Sequence, residues 1–138
     1  MEEELIKITP DKEKAELIFK MAKTTLEMVK TIDKTKFPSN LTKEYYDAIR
    51  ELISIVLLLD GYRVIGESAH KKQIAYLEAN YKEFNKDEII LLDDLRIIRN
   101  KISYDGFFVK EDYINRKMGS LYKIIEKLKE IINRRLRC

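Results

Sequence analysis

Ile114, Met118, Leu121, Ile125, Leu128 and Ile132 recur at alternating intervals of four and three over residues 111–136. An α-helix brings such residues onto one line, and a line of that length is a seam for packing against other helices. A strand would scatter the same residues over both faces. The rest of the chain reads the same way. Four glycines and two prolines are few breakers for 138 residues, and Lys, Glu, Leu and Ile abound, all of them at home in helices or their cores. No β-alternation of useful length and no internal repeat is visible. The length suits one domain spanning residues 1–138, large enough to bury a core.

Four more helices precede the seam. Pro10 suits a first helical position with Thr9 as its cap, and Ala15, Ile18, Ala22, Leu26 and Val29 form the apolar stripe that follows. Residues 33–40 break the pattern. The second helix runs through Thr42–Val64, with Ile49, Leu52, Ile53, Val56 and Leu57 on a wide face that Leu58 and Leu59 extend almost all round. Such a helix is either central to the bundle or shared with a partner subunit. A short third helix spans 67–81, with Ile74 and Leu77 inward. Asn85 and Glu88 have the spacing of a capping box and open the fourth, whose core stripe is Leu91, Leu95, Ile98 and Ile102. Gly106 closes it in the left-handed conformation, and Phe107 and Phe108 are expected to fold back onto the bundle. The expected fold is all-α: an antiparallel bundle of four long helices with a shorter third one.

Charge narrows the function classes. There are 27 basic and 24 acidic side chains, a net charge of +3, too mild to assert nucleic-acid binding from bulk charge. The single cysteine, Cys138, allows no intrachain disulfide. The Met-Glu-Glu-Glu start has the wrong charge for a signal peptide. The longest apolar run, residues 52–59, is too short to span a bilayer. The expectation is a cytoplasmic protein with no membrane contact.

The segment from Leu95 to Phe108, "LRIIRNKISYDGFF", carries chemistry on the fourth helix. Leu91, Leu95, Ile98 and Ile102 line its inner face. Arg96, Asn100 and Tyr104 fall four apart on a neighbouring stripe, Arg99 lies beside them, and the polar edge continues into Asp105. Taken alone, such an edge is usually a structural polar network, and Asp47, Asp60 and Glu67 are candidate partners for Arg99.

Residues 95–106, "LRIIRNKISYDG", resemble the motif helix of the HEPN superfamily of small helical-bundle proteins, and residues 44–74 resemble that family's second and third helices. The resemblance implies a homodimer whose two motifs face a common cleft, metal-independent ribonuclease chemistry with no cofactor, and as partners RNA and a nucleotidyltransferase-like antitoxin. Arg99 matches the motif arginine and Asn100 its polar follower. Tyr104 stands where the family has histidine. A free tyrosine is ionised only about one part in a thousand at pH 7, and losing a positioned acid or base costs on the order of 10²–10⁴ in rate. The RNA- or anion-binding set is therefore Arg96, Arg99, Asn100, Tyr104 and Asp105. Arg99 and Tyr104 are the catalytic candidates of a degenerate enzyme.

His70, the one histidine, is a minor catalytic candidate that depends on the third helix reaching Arg99. Glu67 and His70 share a face, but two ligands do not make a zinc site, so no metal is expected. The basic runs 70–73 and 133–138 read more readily as solvated helix ends than as phosphate contacts. Three functional readings stay open: a homodimer that binds RNA or a nucleotide-bearing partner, with weak or absent ribonuclease activity, a working ribonuclease toxin, and a purely structural dimerisation or scaffold module.

Overall fold

The computed structural model describes residues 4–66 and 68–138. It is an all-α bundle of four long helices with a shorter third one and a single two-stranded ribbon. The elements run β1 (Glu4–Lys7), α1 (Lys12–Val29), α2 (Pro38–Asp60), β2 (Tyr62–Ile65), α3 (Ala69–Asn80), α4 (Lys86–Asp105) and α5 (Glu111–Arg137). The seam on α5 is buried as expected at Ile114, Leu121, Ile125, Leu128 and Ile132.

Helix α2 is the axis of the molecule. It packs against α1, α5, α4, α3 and β2, and its buried residues fall on every side of it. This settles how its wide apolar surface is used. Ile49, Leu52, Ile53, Val56 and Leu57 are essentially inaccessible and Leu59 is nearly so. Neighbours from the same chain satisfy the hydrophobic demand, so the apolar breadth of α2 is no argument for a partner subunit.

Several boundaries differ from the sequence expectation, each for a local reason. Asp11, not Thr9, caps α1, because its carboxylate accepts the Lys14 backbone N–H at 2.9 Å. Pro10 therefore lies before the helix. Helix α2 starts at Pro38, a first-turn proline whose missing N–H has no intrahelical use there. It stops at Asp60 because Gly61 adopts a left-handed φ of 86°. A Cβ at this glycine would also lie 3.1 Å from the Ile8 carbonyl oxygen. Residues 62–65 then leave as a strand that pairs antiparallel with 4–7, Leu5 opposite Val64. This ribbon replaces the end of the expected second helix, which was to run to Val64. Four residues on each side are too few for alternation to register; the long-range pairing makes the strand. Helix α3 is shorter than 67–81, and Glu67 lies outside the described residues.

Helix α4 has the expected capping box, with Asn85 Oδ1 accepting the Glu88 N–H at 2.8 Å and Glu88 Oε1 accepting the Asn85 N–H at 2.9 Å. Gly106 closes it at φ 65°. Its buried stripe, however, ends at Leu95: Ile98 and Ile102 are only half-buried. Phe107 and Phe108 do not fold back. They are 46% and 85% exposed. Val109 is buried instead, its N–H donating to Ser39 Oγ at 2.7 Å. That bond anchors the chain one residue after Phe108 and leaves both rings outside.

A second polar network lies at the opposite end of α2. Asp60, 11% exposed, accepts from the hydroxyls of Tyr76 (2.8 Å) and Tyr81 (2.6 Å) and pairs with Arg135. The Arg135 guanidinium also donates to the Leu59 carbonyl at 3.1 Å. Arg134 pairs with Glu83 at 3.1 Å. Two arginines of the basic C-terminal run thus tie α5 to α2 and to the segment after α3.

Candidate functional site

Three helices bring their polar edges together on one side of α2. Helix α2 supplies Tyr46, Asp47 and Arg50, spaced so that the three share a face. Helix α3 supplies His70 from its first turn. Helix α4 supplies Arg96 and Arg99 from the half that follows its last buried residue, Leu95. Here α4 runs past the core, and long polar side chains replace isoleucine and leucine against α2.

Arg99 is the centre of the arrangement. Its Nε donates to Asp47 Oδ1 at 3.0 Å and a terminal nitrogen to Oδ2 at 3.5 Å. The two side chains are 18% and 26% exposed. This forked geometry is the one a guanidinium and a carboxylate prefer. The hydrogen bond to Asp47 raises the Arg99 pKa, and the Tyr104 phenol adds a smaller effect in the same direction. Of the partners suggested by sequence, Asp47 is engaged and Asp60 belongs to the Arg135 network; Glu67 lies outside the described residues. Arg96 bonds Asp93 within its own helix, Nε to Oδ1 at 3.0 Å.

His70 reaches this cluster. A terminal nitrogen of Arg50 lies 2.7 Å from its Nε2, and the edge of Tyr46 packs beside it with ring centroids 6.4 Å apart. A guanidinium can only donate, so Nε2 accepts and the imidazole is neutral with its proton on Nδ1. Burial comes first, then the positive charges of Arg50 and Arg99, in pushing the pKa of His70 down to about 4; Asp47 opposes them. Burial likewise pushes Tyr46 up to about 12, against the pull of Arg50 and Arg96. The fully buried phenol is therefore a fixed wall of the site and not a proton carrier at neutral pH.

The remaining expected residues lie outward. Tyr104 is 78% exposed, Asn100 is half-buried, and Asp105, the last residue of α4, is exposed. Sequence reading missed Arg50. The signal was present: Tyr46, Asp47 and Arg50 fall at intervals that place them together on one face of α2. Their relevance depends on which neighbour they face, and that requires the packing of α3 and α4 onto α2.

The titration of His70 has a defined sign. Between pH 6.5 and about 4 the unfolded chain holds a proton on this residue that the folded chain refuses, so stability falls as pH drops through that window. Partial exposure limits the loss to roughly 1–2 kcal/mol. In an NMR titration the single histidine is expected to show a midpoint near 4. A midpoint near the ordinary histidine value of about 6.5 would mean that the imidazole is not held against Arg50 in solution.

Neither a family model nor a curated protein matches this chain. The fold defines the class, an all-α bundle, and no helix among the described residues is long and apolar enough to cross a membrane.

Proposed function

We propose that this protein is a HEPN-like homodimeric domain that binds RNA, or a nucleotide-bearing partner, through the edge formed by Arg50, Arg96, Arg99, Asn100 and Tyr104, with weak or absent ribonuclease activity. One observation carries the reading: Arg50 and Arg99, from different helices, converge on one half-exposed patch around a neutral histidine. Among the described residues, three guanidinium groups there face two carboxylates, Asp47 and Asp93, which leaves donors and net positive charge for a phosphate.

The geometry argues against efficient cleavage. A neutral imidazole is suited to accept a proton, but the lone pair of His70 is already occupied by Arg50. With a pKa near 4, it is protonated in about one molecule per thousand at pH 7, far from the poise a general acid needs. Tyr104, whose phenol lies beside Arg99, is 78% exposed, so water screens the influence that would have to bring its proton into use. The working toxin is the less favoured alternative for these reasons.

Support for a second copy comes from α4. Ile90, Ile97 and Tyr104, seven apart, remain 49%, 40% and 78% exposed on one line beside the arginine edge. That spacing suits a helix of a second chain. It would bring two arginine edges together. A nucleotidyltransferase-like antitoxin remains the partner that the family resemblance proposes.

The fork between Arg99 and Asp47 favours the structural reading as a second candidate, in which the pair merely fixes α4 on α2. Arg99→Ala separates the two. On the RNA reading it weakens binding of a single-stranded RNA on the order of tenfold or more, the strength of one charge-assisted contact, and it flattens the salt dependence. Unchanged affinity across several salt concentrations, with loss of dimer or thermal stability instead, assigns Arg99 to the scaffold.

A further inference from the structure

Phe107 and Phe108 are large aromatic rings that the fold leaves outside. They flank a cavity of about 370 Å³ lined by Ile98, Val109 and Tyr113, with Lys101, Lys110, Arg116 and Asp112 at its edge. Three cations thus surround an apolar, aromatic hollow against one carboxylate, and Arg116 is held by that carboxylate at 3.0 Å. Lys101 Nζ lies 5.8 Å from the centre of the Phe107 ring. The hydroxyl of Tyr113, in the wall, is buried without a hydrogen-bond partner among the described residues.

We propose that this hollow between the end of α4 and the start of α5 is a subsite for an unstacked nucleobase and its phosphate. The proposal rests on the RNA-binding reading for its polymeric ligand, but the site itself is separate. A flat aromatic ring 85% exposed beside apolar walls offers one face for stacking, as aromatic platforms do for single-stranded nucleic acid. Lys101 and Lys110 stand where a phosphate attached to that base would lie. A purely apolar partner leaves the cations without counter-charge, and an acidic peptide leaves the rings without a stacking surface; a nucleotide uses both.

Position adds a constraint. Lys101 is about 140° around α4 from Arg96, so the hollow and the arginine edge lie on different flanks of one helix. A strand touching both turns around the helix end, past Gly106. A continuous duplex keeps its bases stacked and paired, whereas a single strand can turn there and release one base. The site therefore selects unpaired nucleotides.

Phe108→Trp tests this, because the chain contains no other tryptophan. The expected result is quenching of its fluorescence by a single-stranded RNA 12-mer and much less by the same sequence as a duplex. Phe108→Ala, at a position too exposed to affect folding, is expected to weaken the single strand on the order of ten- to a hundredfold by anisotropy. Normal RNA binding by wild type, with no quenching and no loss in Phe108→Ala, overturns the hollow while leaving the arginine edge standing. If wild type binds no RNA, adenosine monophosphate decides: quenching of the introduced indole supports a nucleotide subsite although the RNA reading has failed, and silence overturns it. A change in sedimentation on Phe108→Ala, with binding intact, reassigns the rings to contact between copies and also overturns it.

Discussion

Asp60→Ala is expected to cost about 2–4 kcal/mol of stability: it strips two phenols of their acceptor, while Arg135, 39% exposed, keeps access to water, which discounts the loss of the ion pair. The carboxylate is the common acceptor for Tyr76, Tyr81 and Arg135. Its loss leaves two phenols whose deprotonation is already disfavoured, chiefly by burial and then by their bonds to Asp60, and a guanidinium whose other partners among the described residues are the Leu59 carbonyl and the Tyr81 oxygen. For a chain of this size the melting temperature should fall on the order of 10 °C or more. The double variant Asp60→Leu with Arg135→Met should recover much of the loss, since well-packed apolar groups replace buried ion pairs at little cost. A loss below about 1 kcal/mol in urea denaturation, or no coupling in the double-mutant cycle, means that the seam of α5 alone places its C-terminal end.

Replacing Arg50 and Arg99 together by alanine has the largest expected functional effect. Each guanidinium is worth roughly 1.5–3 kcal/mol to a phosphate as a charge-assisted hydrogen bond. Together they should weaken single-stranded RNA binding by about a hundredfold or more and reduce the salt slope by about one to two. Asp47→Asn is the control of opposite sign. It removes a negative charge from the patch and releases Arg99, so affinity should rise by about fivefold, while stability falls by no more than about 1 kcal/mol because the pair is partly exposed. Parallel losses of affinity and stability in both variants would show that the patch matters only for folding. A rise in affinity on removing a carboxylate has no structural explanation and points directly to an anion.

The α5 seam, the Asn85–Glu88 box and the Gly106 stop were legible because each depends on residues within one or two turns of one another, and periodicity and capping are local properties. The same holds for the Arg-Asn-Tyr edge of α4, since a helix fixes which residues are neighbours. Sequence alone therefore determined the all-α class, the order of the helices and one edge of the candidate site. Tertiary structure decided the rest. It paired residues 4–7 with 62–65, enclosed α2 within its own chain, stopped the core of α4 at Leu95, and left Phe107 and Phe108 outside once Ser39 had caught Val109. It also chose Asp47 for Arg99, Asp60 for Arg135 and Arg50 for His70. These contacts join residues 20 to 75 positions apart. Partner choice over that distance depends on how three helices stack, because hydrophobic packing is non-directional and sets which polar edges meet only when the whole core is assembled.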